Sequence, residues 1–489
     1  MRKCNICSME PCVEEQVYRK TMEQERVEKV HHIVVLADQG QGHINPMLQF
    51  SKRLSSRGIK ITVVTTLSNV KSMKAALPDS MITFESIYDD CSEGGVVGPG
   101  GFRGFLDRFQ ANGSTNLTKF ILDQEQTEHP VKCLVYDVNI SWASKITTQL
   151  SIAGAAFFTQ SCATAATYYP MYCEVYEKTP LSIPNFPVMT GLPKLRFPNL
   201  PSLGSSTGRY PPIIMHILSQ FDNFEKADWV LFNSFDKLEE EVVNWMKQLW
   251  NAVTIGPTLP SFYLDKRVEN DNEYGFNIHK PNSNNCMEWL ANKKIGSVVY
   301  ISFGSAANLS AEQITEVVDA LRQSNITFLW VVKPDEQSKL PSDFIKETSE
   351  KGLVVTWCSQ LAVLAHHAVG CFVSHCGWNS TLEAISFGVP IVAMPQILDQ
   401  IINAHFLENV WVVGLIATAN NGVTTSEEIY RCIREVLEGE RGQEIRKNIT
   451  SLKELAKEAI DTSGSSDKHI DEFITQLDPA YLRHRSNYN

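Results

Sequence analysis

The chain lacks any continuous apolar run on the order of 18 residues, so no membrane-spanning helix is expected. It is short of positive charge. Lys and Arg number 44 against 55 Asp and Glu, a formal net charge of −11. A general nucleic-acid binder needs a basic face to displace counterions, and none is offered. A nucleotide ligand stays possible, because one local group of N–H donors can hold a diphosphate inside an acidic protein. The 12 cysteines follow no regular framework, and residues 1–30 contain no apolar segment of the signal-peptide kind. Reduced thiols in a cytoplasmic protein are the expectation. Cys4, Cys7 and Cys12 have no fourth ligand at zinc spacing. In Cys371, His375 and Cys376 the adjacent His and Cys at a strand end suit a tetrahedral site poorly. No metal is expected.

Several nucleotide and hydrolase signatures are missing too. There is no G-x-x-x-x-G-K-[ST] phosphate loop and no G-x-S-x-G elbow. No two aspartates stand two positions apart, so an Asp-x-Asp metal clamp is absent. Gly40-Gln-Gly42 opens like a dinucleotide fingerprint but lacks the third glycine. A nicotinamide-dependent oxidoreductase is therefore a weak rival.

What is present is alternation. With 489 residues, two or three domains are the starting point. Apolar runs at 32–37, 59–65, 133–136, 153–158 and 229–232 read as buried strands separated by helical stretches. Asn45-Pro46 reads as an N-cap followed by proline at the first helical position, with Met47, Leu48, Phe50 and Leu54 forming the apolar side. A second series follows at 297–302, 328–332, 353–356, 370–374 and 390–394. The pattern predicts an α/β protein of two doubly wound, Rossmann-like halves facing across a cleft. The expected divisions are a disordered extension over 1–29, a first half over 30–255, a Pro-, Asn- and Asp-rich linker over 256–285, and a second half over 286–465. Over 466–489, Ile470, Phe473, Ile474 and Leu477 fall on one side of a helix, followed by a tail.

Two places carry chemistry. Strand 370–374 runs into His375, and a helix begins within Gly377-Trp378-Asn379-Ser380-Thr381. The free N–H groups and positive end of that helix form a diphosphate cradle. Ser380 and Glu383 have the spacing of a capping box, and Trp357 has the character of a core residue. The second place is the loop after the first strand. His43 there is positioned to take a proton from a hydroxyl, and Asp137 ends another strand at the same sheet edge. Taken alone, a loop histidine is more often uninvolved.

The span from Trp357 to Asp399-Gln400, with His375-Cys-Gly-Trp-Asn-Ser380 and Glu383 in register, resembles the UDP-sugar box of plant family-1 glycosyltransferases. The likeness extends over nearly all of residues 30–480. It implies a GT-B fold and an inverting, metal-independent transfer of glucose from UDP-glucose to a small apolar acceptor of plant secondary metabolism. UDP-glucose is then a substrate, and no cofactor is needed. The last helix would cross back onto the first half, and the protein would act as a monomer. By resemblance Trp357 stacks on uracil, with Cys358 and Gln360 beside it. Glu383 takes the ribose hydroxyls. Ser305, His375, Gly377, Asn379 and Ser380 surround the diphosphate. Thr159, the Trp378 backbone, Asp399 and Gln400 meet the sugar. His43 becomes the base and Asp137 its partner. A protein that binds small molecules on the same fold without turnover is the rival from another class.

Three stretches depart from the family, and all flank the acceptor. Ala37-Asp38-Gln39 stands where Pro-Phe-Pro is usual. Val138-Asn139-Ile140 replaces an aromatic and a proline. Ile397-Leu398 replaces Trp-Thr. Acceptor identity is not readable from these residues.

Overall fold

The structure is a computed structural model that describes residues 31–77, 82–89, 98–176, 212–278, 283–305 and 307–477. The extension over 1–29 lies outside the described residues. Among the described residues thirteen strands form two sheets, both parallel throughout. The first contains β1 (His32–Leu36), β2 (Lys60–Thr66), β3 (Thr83–Tyr88), β4 (Val131–Asp137), β5 (Ala153–Phe158), β6 (Trp229–Phe232) and β7 (Ala252–Thr254). The second contains β8 (Val298–Ser302), β9 (Thr327–Val331), β10 (Gly352–Val355), β11 (Val369–Ser374), β12 (Ile391–Ala393) and β13 (Gly414–Ile416). Their orders are β3-β2-β1-β4-β5-β6-β7 and β10-β9-β8-β11-β12-β13. Each sheet is doubly wound, and each reverses direction once, between β1 and β4 and between β8 and β11. Ligands of open α/β sheets bind at such reversals, beyond the carboxyl ends of the strands.

Alternation along β1 shows how the layers form. Ile33 and Val35 face one core while Val34 and Leu36 face another, the two-residue period of a strand buried on both sides. Five helices bear on the site: α1 (Gln41–Ser55), α2 (Gln360–Leu364), α3 (Trp378–Phe387), α4 (Asp399–His405) and α5 (Ser465–Gln476). No described helix is long and apolar enough to cross a membrane.

The start of α1 corrects the sequence expectation. Gly40 is the N-cap, and Pro46 lies inside the helix. Proline there has no N–H to donate to the carbonyl of Gly42, four residues back. The helix tolerates this because another donor, the Asn379 side chain, reaches that carbonyl at 2.8 Å from the second half.

Helix α5 lies on the first sheet. Ile470, Phe473 and Leu477 are buried in the same core as Phe50, Phe157 and Trp229. Phe473 stands edge-on to Trp229 at 5.1 Å, and Trp229 Nε1 donates to Gln476 Oε1 at 2.9 Å. An ionic strap joins α1, the segment between the sheets and α5. Arg53 forks onto Asp265 at 2.9 and 3.1 Å. Arg267 donates to Asp265 and Asp467 at 2.7 and 2.6 Å, and Arg57 donates to Asp467. Burial alone would raise the Asp265 carboxyl, but the Arg53 fork outweighs it and holds the group below the usual carboxylate range.

Because Phe473 is 1% exposed, Phe473→Ala is expected to lower stability by about 3–5 kcal/mol, the usual range for emptying an aromatic site. Ending the chain at Gly464 is expected to give insoluble protein. Denaturant unfolding checks the first and expression the second; a truncated protein that melts like the full chain would contradict the role of α5.

Candidate active site

The two sheet reversals face each other across one cavity of about 500 Å³. His43 sits in the first turn of α1, directly after β1, and Asp137 is the last residue of β4. These are the strands on either side of the first reversal. His43 Nδ1 lies 2.7 Å from Asp137 Oδ2. Asp137 is fully buried, and its other oxygen accepts from the Asn139 amide at 2.9 Å. A carboxylate only accepts, so Nδ1 carries the proton and the lone pair of the neutral ring is on Nε2. Thr159, after β5, places its hydroxyl 3.1 Å from the same Nδ1. The imidazole keeps 30% exposure and borders the cavity.

Burial would lower the pKa of this histidine. The charge and hydrogen bond of Asp137, reinforced by Asp38 and Asp399, overcome that and raise it to about 9. Asp38, three residues before Gln41 at the start of α1, therefore contributes part of the raised basicity. His216, facing the same charges, is shifted downward chiefly by burial.

The second reversal supplies the opposite wall. Ser305 follows β8 and His375 follows β11; both border the cavity. The His375 ring fits where glycines leave room: a Cβ on Gly304 or Gly377 would come within 2.7 or 2.6 Å of it. Burial, with a smaller push from Lys333, lowers its pKa to about 4, so the ring is neutral near pH 7. Among the described residues its buried Nδ1 has no hydrogen-bond partner. Helix α3 starts after Gly377 with no side-chain cap. The amides of Trp378, Asn379 and Ser380 therefore precede the first intrahelical bond.

Ser380 and Glu383 do not form a capping box. Ser380 Oγ accepts from Gln360 Nε2 at 2.9 Å, and the same nitrogen donates to Glu383 Oε2 at 2.6 Å. Gln360 Oε1 takes the Tyr300 hydroxyl at 3.1 Å. Burial raises the Glu383 carboxyl to about 7, against the pull of its hydrogen bonds. Trp357 and Cys358 border the cavity beside it. Asn379 turns toward the first half, donating to Gly42 O and lying 3.5 Å from Asn233 Nδ2. Trp378 Nε1 also crosses, to Asn233 O at 2.6 Å. Asp399 begins α4, held by Asn403 Nδ2 at 2.9 Å, and burial raises it to about 6. Gln400 Oε1 accepts from the amides of Gln396 and Ile397 at 2.9 and 3.1 Å, which leaves its Nε2 donor for a ligand.

The site residues named from the sequence border one cavity, except Asp137, which lies buried behind His43 and reaches it only through that ring. Sequence reasoning missed Asn233, Glu273 and Tyr274, which also hold this region together. For the last two, the available signal was the aromatic pair Tyr274-Gly275-Phe276 following the polar run Glu269-Asn-Asp-Asn-Glu273.

Two facing doubly wound sheets with a cleft of this kind make a GT-B glycosyltransferase fold. The family model described as UDP-glucoronosyl and UDP-glucosyl transferase matches residues 264–460. UDP-glucosyl transferase 74CD1 of Saponaria officinalis is 44% identical over 466 residues, covering 91% of this chain and 98% of that protein. Mogroside I-E synthase of Siraitia grosvenorii is 43% identical over 451 residues, with coverage of 91% and 98%. The crystal structure of Os79 from O. sativa in complex with UDP has a TM-score of 0.79 at 35% identity, covering 91% of this chain and 100% of that one. The chain belongs to the UDP-glycosyltransferase family and is an enzyme of that class.

A histidine accepts a proton only in its neutral form, so a base role for His43, tested by the pH dependence of activity, would place the active form toward alkaline pH. We expect kcat/KM for an alcohol acceptor to climb with pH toward about 9, since this ratio reports the free enzyme's base. Asp38→Asn removes one of the raising charges and should move the limb to lower pH. An unchanged limb in that variant would contradict the electrostatic account.

Proposed function

We propose that the enzyme transfers glucose from UDP-glucose to a hydroxyl or carboxyl of a small apolar plant metabolite, with inversion at the anomeric carbon. The observation that carries this reading is the His43–Asp137 pair at 2.7 Å, set across one cavity from the uncapped start of α3. His43 Nε2 takes the acceptor proton as the acceptor oxygen forms its bond to the anomeric carbon. The bond from that carbon to the diphosphate oxygen breaks, and UDP carries away the electron pair. Asp137 stabilises the imidazolium, as the carboxylate of a catalytic triad does.

The leaving charge goes to preorganised donors: the amides at the start of α3, Asn379, Ser380, Ser305 and the neutral ring of His375. Because His375 is held neutral, it acts as a hydrogen-bond donor and not as a cation. Trp357 stacks on uracil, with Cys358 and Gln360 at the base edge, and Glu383 accepts from the ribose. Thr159, the Trp378 backbone, Asp399 and Gln400 hold the glucose. No metal or further cofactor takes part. Tyr168, Ile217 and Leu398 add apolar surface beside His43, which suits a terpenoid, steroid-like or phenolic acceptor. Likeness to mogroside I-E synthase supports the first of these. We place the enzyme in the cytoplasm as a monomer.

Incubation with UDP-glucose and a panel of triterpenols, phenols and carboxylic acids tests the proposal, with glucosides read by mass and linkage by NMR. A β-glucoside is expected; an α-glucoside, or no UDP release with any acceptor, would overturn it. His43→Ala should lower turnover of an alcohol by about 10²–10⁴-fold, the usual contribution of general-base catalysis, with UDP affinity preserved. The loss should be smaller for a carboxylic acid, which is ionised before it binds. Excess EDTA should leave activity standing; a loss reversed only by a divalent ion would refute the metal-free route.

A further inference from the structure

The segment between the sheets is anchored to the helix that carries His43. Lys52 Nζ donates to Asp271 Oδ1 and to Glu273 O, both at 2.7 Å. Gln49 Nε2 reaches Glu273 O and Tyr274 O at 3.3 and 3.5 Å. Gly275, at φ +91°, lets the chain turn against Leu77, where a Cβ would come within 2.7 Å of that side chain. From this anchor two side chains cross to the second half. Glu273 Oε1 accepts from Ser359 Oγ at 3.0 Å, one residue before Gln360. The Tyr274 hydroxyl donates to Glu383 Oε1 at 2.8 Å.

Glu383 is therefore held from two sides, by Gln360 on Oε2 and by Tyr274 on Oε1. A carboxylate offers about four lone-pair sites, so each oxygen keeps one for a ligand. We propose that Tyr274 is a positioning residue for the donor nucleotide: it clamps Glu383 with both oxygens open to the two ribose hydroxyls. The enzyme's preference for a ribonucleotide over a deoxyribonucleotide donor is then set in part by the linker. This rests on the reading of Glu383 as the ribose carboxylate. Burial beside Glu383 pushes the Tyr274 phenol far above its ordinary range, so it stays a donor at any working pH. Its bond to Glu383 also opposes the burial that favours the protonated acid. Without that donor, the carboxyl would be more readily protonated and freer to rotate, and both changes weaken its grip on a diol.

The test compares Tyr274→Phe with wild type, using UDP-glucose and its 2′-deoxyuridine counterpart as donors. With UDP-glucose the variant should raise donor KM, and the inhibition constant of UDP, roughly 10-fold, the scale of one hydrogen bond to a charged group. Saturated kcat and acceptor KM should not change, the pattern of lost ground-state binding. With the deoxy donor the penalty should shrink, because one of the two hydroxyls that Glu383 serves is gone. A penalty equal for both donors, or a fall in kcat and melting temperature together, would make Tyr274 merely structural and overturn the proposal. Glu383→Ala is run in parallel. If it weakens UDP binding while Tyr274→Phe does not, the clamp fails and the ribose reading survives. If Glu383→Ala binds UDP like wild type, the ribose reading fails and the clamp falls with it.

Discussion

A carboxylate with no exposure to water must be compensated by its neighbours, and at Asp137 that compensation comes from the Asn139 amide and the His43 ring. Much of the site follows from this one requirement. The bond fixes the imidazole tautomer and aligns Nε2 for substrate. It raises the basicity of the ring against the opposing effect of burial. It also ties the first turn of α1 to the end of β4, the two elements that flank the reversal of the first sheet.

The second sheet has to meet that pair at a fixed distance, and the contacts across the cleft are polar and specific. Pro46 leaves the Gly42 carbonyl without a helical donor, and Asn379, from the diphosphate end of α3, supplies one. Trp378 reaches Asn233 from the same turn. Farther out, Arg53, Arg57 and Arg267 bind Asp265 and Asp467, which ties α1, the linker and α5 to one another. The first turn of α1 and the start of α3 are thus joined by hydrogen bonds at the cleft, while the ionic strap joins α1, the linker and α5 behind it. Opposite electrostatics act on the two histidines. His43 faces three carboxylates and is raised, whereas His375 is buried near Lys333 and lowered.

Central strands were legible because burial on both faces leaves an unbroken apolar run, as in β5 and β6. The strands that sequence reading missed, β3, β7 and β13, all lie at sheet edges. Two of them have only three residues, and β3 breaks its apolar run with exposed Thr83, Glu85 and Ser86. The helix start was misplaced by five residues, Asn45 for Gly40 as the cap, because Asn45-Pro46 has the local chemistry of a cap. A tertiary donor from Asn379 overrode it. Most of the cavity wall on the second half was readable because its residues, Ser305 excepted, fall in one continuous stretch, Trp357 to Gln400. Tyr274 was not, since a polar, proline-bearing segment reads as a spacer. Only the fold brings its hydroxyl to Glu383.

The central claim is that Asp137 makes His43 a base by holding the proton on Nδ1. Asp137→Asn tests it with almost no change in shape. An amide can present N–H to Nδ1, which favours the tautomer with its proton on Nε2 and removes the lone pair the reaction uses. The measurement is kcat/KM for an alcohol acceptor across pH, together with UDP affinity. A fall of roughly 10³–10⁴-fold with UDP binding intact is expected, the scale seen when a triad histidine is held in the wrong tautomer. Turnover near wild type in this variant would contradict the account.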